Sequence, residues 1–119
     1  MWPFRRKGAG GAAGPASVST IDVDEAFTRS RRGAKLIDVR SAREYSHGGH
    51  PKGARSVPPD LIKKDETGLA LDDDILVICL SGHRSAREAK RLAGMGHTNV
   101  SNVRGGLTAW KKAGLPVKQ

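Results

Sequence analysis

The segment Ile75-Leu-Val-Ile-Cys79-Leu-Ser-Gly-His-Arg84-Ser85 contains the pattern that decides the predicted fold. Its first six residues form the most apolar run of the chain, and they are rich in the β-branched side chains of buried parallel strands. Ser81-Gly82 interrupts this run, and a helical pattern follows from about residue 84 to 92. This order of strand, tight loop and helix places Cys79 at the carboxyl end of a strand, where open α/β sheets carry their sites.

Strand and helix patterns alternate along the rest of the chain. The further strands are predicted at residues 35–39, 55–57 and 99–103, and the further helices at residues 23–31, after Ser41 and after Gly105-Gly106. This alternation predicts an α/β fold with a central, mostly parallel sheet flanked by helices on both faces.

The domain is predicted to cover residues 19–119, which is the length of one ordinary domain. Residues 1–18 are basic at first and then rich in Gly and Ala, so we expect a flexible tail. The tail lacks the apolar segment that a signal peptide requires. No apolar run in the chain approaches the ~18 residues of a membrane span, so none is predicted.

The chain carries 21 Lys and Arg against 12 Asp and Glu, a net charge of +9. This balance favours anionic partners, among them nucleic acids, anionic lipids and small anions. Its one cysteine excludes an internal disulfide and the common zinc sites that are built on several thiolates. A lone thiol persists most easily in a reducing compartment, so the expected location is the cytoplasm.

Two interpretations of Cys79 follow from its surroundings. Backbone amides of a tight loop can converge on one point, and the amino end of the following helix adds partial positive charge. Arg84 adds a full charge, and all three effects favour the thiolate, the nucleophilic form of cysteine. The alternative is a buried structural cysteine, a common role for a free thiol. The Ser-Gly-His-Arg-Ser segment favours the reactive thiolate, because a core strand has no need of such a loop.

The loop that begins at Cys79 resembles the active-site loop of the rhodanese-like sulfurtransferases, which reads Cys, two residues, Gly, one residue, and then Arg, Thr or Ser. Cys79, Gly82 and Arg84 match this loop. Further segments resemble motifs of the family in the family's order: Leu36-Ile37-Asp38-Val39-Arg40, Glu44-Tyr45, Gly49-His50, Gly53-Ala54, Asn99-Val100, Gly105-Gly106-Leu107-Thr108-Ala109-Trp110 and Ala113-Gly114-Leu115-Pro116-Val117. The resemblance covers residues 19–117 and departs at Pro51-Lys52, where Ile-Pro is usual. The chain is similar to the single-domain members.

The resemblance implies transfer of a sulfane sulfur through a persulfide on Cys79, the nucleophile. A small anionic donor such as thiosulfate supplies the sulfur, and cyanide, a small thiol or a protein thiol accepts it. Arg84 is expected to bind the anionic donor, and no cofactor or metal is implied. The residues expected to bind the substrate, mainly through backbone amides, are Leu80, Ser81, Gly82, His83 and Arg84.

Other polar residues have structural interpretations that compete with functional ones. Asp38 lies in an apolar strand, and a hydrogen bond or an ion pair with Arg40 is expected in preference to a catalytic role. His47 and His50 have no third metal ligand near them in sequence, so a role in the structure of their loop is expected. Two interpretations of His83 stay open, because it can either modulate the thiolate or face solvent.

Other functions also remain open at the level of sequence. Phosphatases of a related type place Cys and Arg on a strand-to-helix loop, but with five intervening residues, whereas four separate Cys79 from Arg84. A non-catalytic binding or regulatory module is a second alternative, although such modules lack the Cys. Nucleic-acid binding is suggested by the net charge alone. The sequence has no Arg-Gly, aromatic or zinc motif to support it. Sulfur relay to a protein or to an RNA-modification partner is compatible with the predicted chemistry.

Overall fold

The computed structural model describes residues 17–119, which form a parallel five-stranded sheet and a short two-stranded sheet. The strands are β1 (Val18–Ile21), β2 (Lys35–Asp38), β3 (His50–Pro51), β4 (Arg55–Ser56), β5 (Ile75–Ile78), β6 (Val100–Val103) and β7 (Val117–Lys118). The helices are α1 (Val23–Arg31), α2 (Ala42–His47), α3 (Pro59–Lys63), α4 (His83–Gly94) and α5 (Gly106–Lys112).

The five-stranded sheet has the order β1-β6-β5-β2-β4, and every neighbouring pair is parallel. The apolar strand β5 is therefore central, as predicted, and its four residues are all buried. Because the strands are parallel, their carboxyl ends meet at one edge, and the loop after β5 lies between the loops after β2 and β6. The fold class predicted from the sequence is confirmed.

The two faces of the sheet pack into separate core layers. Leu76 and Ile78 of β5 belong to one layer, which includes Trp110 of α5 and residues of α1. Ile75 and Val77 belong to the other, which includes residues of α3 and α4 and the Cys79 side chain. This alternation follows from the two-residue period of a strand, and it shows why both faces of β5 must be apolar. Cys79 lies on the α4 side of the sheet.

Several elements begin where the sequence predicts them. The Asp22 carboxylate accepts a hydrogen bond from the amide of Glu25 and caps α1. Ser41 and Glu44 form a reciprocal capping box at the start of α2, the helix that is predicted after Ser41. Strand β5 ends at Ile78, so Cys79 is the first residue of the loop and not the last residue of the strand.

The strand β1 is absent from the prediction. Its sequence, Val-Ser-Thr-Ile, contains two polar residues, and both are exposed. It is an edge strand held by pairing with β6, with Val18 opposite Val100.

Most of the predicted tail, residues 1–18, lies outside the described residues, and Val18 belongs to β1. Within residues 17–119, no helix has the length and apolar character needed to cross a membrane.

A buried ion pair fixes the loop that follows β2. The Arg40 guanidinium donates to both carboxylate oxygens of Asp38, and its Nη2 also donates to the carbonyl of Gly49 at 2.8 Å. The side chains of Asp38 and Arg40 are only 1% and 3% exposed. The predicted pairing of Asp38 with Arg40 is confirmed, and it connects β2 to the segment after α2.

We expect Asp38→Ala to lower the free energy of unfolding by about 3–5 kcal/mol, because it leaves the Arg40 charge buried without its partner. Denaturant titration followed by circular dichroism measures this change. The matched control is Asp60→Ala, which removes an exposed carboxylate paired with Lys64. That control should change stability by no more than about 0.5 kcal/mol. Equal costs for the two variants would contradict a structural role for the buried pair.

Candidate active site

Cys79 lies in a sharp turn between β5 and α4. Gly82 caps α4 with a left-handed backbone, φ +103°. A Cβ atom on Gly82 would lie 3.3 Å from the backbone nitrogen of Gly105, so a side chain is disfavoured by both conformation and space. The glycine lets the chain turn at once from the strand into the helix, and the first amides after Cys79 then face back towards its sulfur.

The loop directs hydrogen-bond donors towards the sulfur of Cys79. The amide of Gly82 lies 3.1 Å from Sγ. Burial of the Cys79 thiol acts to raise its pKa, but hydrogen bonds from the Ser85 hydroxyl and from the amides of Ser85, Gly82 and Ser81 outweigh burial and lower it. The residue is only 1% exposed, so the groups closest to the sulfur are fixed dipoles of the protein. This is the environment of a nucleophilic cysteine.

Ser85 and Asn102 connect the loop to a neighbouring strand through side-chain hydrogen bonds. The buried Ser85 hydroxyl donates to Oδ1 of Asn102 at 2.6 Å. The Nδ2 group of Asn102 donates to the Gly82 carbonyl at 3.2 Å, which fixes the orientation of the amide. Because a hydroxyl has a single proton, Ser85 can serve Asn102 and the Cys79 thiolate only alternately. Asn102 belongs to β6, so a neighbouring strand supports the loop.

The first turn of α5 also fixes the loop, through hydrogen bonds to its backbone carbonyls. The amides of Leu107 and Thr108 donate to the carbonyls of Cys79 and Leu80 at 2.8 and 3.1 Å. This close approach requires Gly106, because a Cβ atom there would lie 2.5 Å from the carbonyl oxygen of Cys79. The free amides at the start of α5 are thereby satisfied by the active-site loop.

Arg84 forms a two-pronged ion pair with Glu44. Its Nη1 and Nη2 groups donate to the two carboxylate oxygens at 2.8 and 3.0 Å. Hydrogen bonds from Arg84 hold the pKa of Glu44 at about 2, and the same bonds raise the pKa of Arg84. Both side chains are about two-fifths exposed, at 42% and 37%. The pair joins α4 to α2 beside the loop.

The remaining predicted site residues differ in exposure and contacts. Leu80 directly follows Cys79, and it is 45% exposed. Ser81 and His83 are exposed, and Nδ1 of His83 lies 3.1 Å from the Ser81 hydroxyl. The structure thus brings residues 80–84 together around Cys79, with the backbone of the loop facing the sulfur and most of its side chains facing outward.

The two histidines of the other loop have structural contacts. His50 stacks on Tyr45 with the ring centroids 3.7 Å apart, and its Nδ1 contacts the Tyr45 carbonyl. Nδ1 of His47 contacts the carbonyl of Arg43. Among the residues that the structure describes, no three His, Cys, Asp or Glu side chains are grouped in a way that could hold a metal ion.

Sequence analysis missed four residues that build the site: Glu44, Ser85, Asn102 and Gly106. From the sequence, Glu44 is expected only as part of the Glu44-Tyr45 motif, and Ser85 only as part of the segment that follows Cys79. Asn102 lies in a buried strand, where a polar side chain is uncommon, and that exception was the available signal. Gly106 had a weaker signal, because a second consecutive glycine at the start of a helix is costly unless the backbone requires it.

Taken together, the fold and the site define an α/β domain whose single buried cysteine lies on a loop between a central parallel strand and a helix. Residues 22–113 match the model of the rhodanese-like domain family. The chain belongs to this family.

Similar proteins extend the match over most of the chain. Thiosulfate sulfurtransferase 16 of Arabidopsis thaliana, a chloroplastic protein, is 34% identical over 84% of this chain and 92% of its own length. A sulfurtransferase of Allochromatium vinosum is 35% identical over 69% of this chain and 76% of its own. The solution structure of a rhodanese-like domain from Anabaena superposes with a TM-score of 0.73 at 29% identity, covering 89% of this chain and 80% of that one.

We expect Ser85→Ala to raise the pKa of the Cys79 thiol, because it removes one of the hydrogen bonds to the sulfur while keeping the amide. Ultraviolet absorbance of the thiolate during pH titration measures the change. In the unaltered protein the midpoint should lie below the ordinary value of about 8.5. The substitution should also destabilise the fold by about 1–3 kcal/mol, since Asn102 loses its donor.

Ser81→Ala is the matched control for this titration. Its amide also donates to the sulfur, but its hydroxyl contacts only His83 among the described side chains. The midpoint should therefore stay unchanged in Ser81→Ala. A midpoint that shifts equally in both variants would contradict a specific contribution of the Ser85 hydroxyl.

Proposed function

We propose that this protein is a sulfurtransferase that moves a sulfane sulfur from a donor such as thiosulfate to a thiophilic acceptor through a persulfide on Cys79. The observation that carries the proposal is the Gly82 amide, which donates to the Cys79 sulfur at 3.1 Å, together with the lowered pKa of the Cys79 thiol. The names of the sulfurtransferase relatives support the same class of reaction. The lone cysteine favours a reducing compartment, so we place the protein in the cytoplasm.

The first half-reaction loads the cysteine. The Cys79 thiolate attacks the outer sulfur of thiosulfate, a new S–S bond forms to Sγ, and the bond between the two sulfur atoms of thiosulfate breaks. Sulfite leaves with the electron pair, and the product is a Cys79 persulfide anion. The amides of the loop then hold the negative outer sulfur as they held the thiolate, so the same donors serve both states.

The second half-reaction unloads the cysteine. Cyanide or a thiolate attacks the outer sulfur of the persulfide, the bond to Sγ breaks, and the electron pair returns to Cys79. The products are thiocyanate or a new persulfide, together with the original Cys79 thiolate. No oxidant, metal or cofactor is required for either step, since the sulfur moves as a neutral atom between nucleophiles.

The size of the loop favours sulfur over phosphate. Only four residues separate Cys79 from Arg84, and Cys79 is 1% exposed. A single sulfur atom fits a narrow ring of amides, whereas a phosphoryl group needs donors for three oxygens around phosphorus. The donor's sulfonate end would lie outside the ring, on the side of Arg84, where it must compete with Glu44 for the guanidinium.

We expect thiosulfate to add one sulfur atom to the chain at Cys79, and cyanide or dithiothreitol to remove it. Intact-mass spectrometry after each incubation measures both steps. Cys79→Ser should gain no sulfur. A mass gain that survives in Cys79→Ser would place the chemistry at another residue, and phosphate release from para-nitrophenyl phosphate that depends on Cys79 would favour a phosphatase instead.

Arg84→Ala should raise the KM for thiosulfate, by about two- to fivefold for a contact at a partly exposed site. The substitution removes a cation and also leaves the Glu44 carboxylate uncompensated, so a dianion is repelled. Removal of an existing persulfide by a neutral thiol should hardly change, because that step involves no sulfonate. Steady-state kinetics with thiosulfate and single-turnover unloading of the persulfide separate the two effects. An unchanged KM would remove Arg84 from the donor site.

A further inference from the structure

We propose that a cavity at the amino-terminal end of the sheet binds a small amino acid that carries two carboxylates. The proposal is independent of sulfur transfer at Cys79. The cavity has a volume of about 280 Å³, and we call it the amino-end cavity. It is lined by residues 34–37, Gly53, Arg55, Gly68, Leu69 and Asp73.

The amino-end cavity lies at the opposite end of the sheet from Cys79. Its lining comes from the starts of β2 and β4 and from the loop that leads into β5. Lys35 pairs with Ile75, the first residue of β5, whereas Cys79 follows the last residue of that strand. Four residues of a parallel strand span about 13 Å, so the cavity and the sulfur of Cys79 are separate sites.

Two cations and one carboxylate line the amino-end cavity without pairing with each other. Lys35 and Ile37 share one face of β2, and Arg55 lies opposite Ile37, so both cations project from the same face of the sheet. Within residues 17–119, neither of them forms an ion pair with a carboxylate, in contrast to Arg84, and Asp73 pairs with no cation. Charges of both signs are therefore available to a ligand.

Hydrogen bonds hold Arg55 and Asp73 in place. Nη2 of Arg55 donates to the carbonyl of Thr67 at 2.8 Å, which leaves the other N–H groups of the guanidinium for a ligand. A Cβ atom on Gly68 would lie 4.0 Å from Nη1, so this nitrogen borders the space that the glycine leaves open. Oδ2 of Asp73 accepts a hydrogen bond from the Ala70 amide at 2.9 Å, and Oδ1 remains available. A site that is fixed before binding loses little conformational freedom when a ligand enters.

The size and the charges of the cavity together select the ligand. A volume of about 280 Å³ holds about nine water molecules at about 30 Å³ each, which suits a free amino acid and is too small for a nucleotide. Two carboxylates match Lys35 and Arg55, and an ammonium group matches Asp73. The half-buried Leu69 offers apolar surface to the methylene groups of the ligand. A neutral ligand would desolvate the three charges without replacing their hydration.

Isothermal titration calorimetry of the full chain with L-glutamate and L-aspartate tests the proposal. We expect at least one of them to bind at a single site with a dissociation constant of about 0.1–10 mM, given the small size of the ligand. Cys79→Ser should bind it equally well. In an NMR titration the amide signals of Gly53 and Gly68 should shift. Saturable binding of neither amino acid, or shifts at Ser81 and Gly82 in place of Gly53 and Gly68, overturns the proposal.

Analogues that lack one charged group measure each contact. L-Glutamine lacks one carboxylate of glutamate, and glutarate lacks its ammonium group; L-asparagine and succinate serve in the same way for aspartate. We expect each analogue to bind about two- to fivefold more weakly than the parent amino acid, as for exposed charge contacts. An analogue that binds as tightly as the parent overturns the assignment of the contact that it lacks.

Asp73→Asn tests where the ammonium group binds. The side-chain oxygen of Asn can still accept the hydrogen bond from Ala70, so the turn is kept while the charge is lost. We expect the preference for the amino acid over its analogue without the ammonium group to fall by about two- to fivefold. The matched control is Asp72→Asn, at an exposed neighbour outside the cavity lining, which should leave the preference unchanged. An unchanged preference in Asp73→Asn overturns the role of Asp73.

Arg55→Gln and Lys35→Gln test the carboxylate contacts. Each should weaken binding of the amino acid by about two- to fivefold. Arg55→Gln also removes the hydrogen bond to Thr67, so Lys35→Gln, which removes a cation alone, provides the second measurement. The matched control is Arg32→Gln, which changes the net charge equally at an exposed residue outside the cavity lining. Circular dichroism checks that each variant is folded, and binding that is weakened no more than in Arg32→Gln overturns the proposal.

Discussion

The two hydrogen bonds from the first turn of α5 to the carbonyls of Cys79 and Leu80 are the constraint on which the site depends. They direct both carbonyl oxygens towards α5, away from the sulfur. The groups that remain to face the sulfur are donors: the amides of Ser81, Gly82 and Ser85. A loop with its carbonyls directed inward would repel a thiolate, so the docking of a helix on the back of the loop gives the cysteine its chemical character.

Two arginines close to the site are paired with carboxylates, although the chain as a whole is strongly basic at +9. Arg40 is neutralised by Asp38 in the interior, and Arg84 by Glu44 at the surface. The thiolate is therefore stabilised mainly by backbone and hydroxyl dipoles. In the proposed reaction, dipoles that are fixed by the fold would need no rearrangement when charge moves from Sγ to the outer sulfur of a persulfide, which is an advantage over mobile side chains.

The features that could be predicted from the sequence are those that a short stretch of consecutive residues reveals. The apolar run of β5, the Ser-Gly break after it and the starts of α1 and α2 are each visible within a few residues, and the structure confirms them. Strand β1 escaped prediction because an edge strand with polar residues has no strong period. The pairs Arg84–Glu44 and Ser85–Asn102 join residues 40 and 17 positions apart, and such contacts have no local signature at all. They follow only from the meeting of strand ends at one edge of the sheet.

The order of the strands has a consequence for how the chain folds during its synthesis. The five-stranded sheet is complete only when β1, at the start of the domain, pairs with β6 near its end, with Val18 opposite Val100. The residues that hold the loop, Asn102, Leu107 and Thr108, are also made last. Pairing between such distant segments is slow. A ribosome-bound chain therefore exposes Cys79 before the loop around it can form, and the thiol gains its lowered pKa only when synthesis of the domain is almost complete.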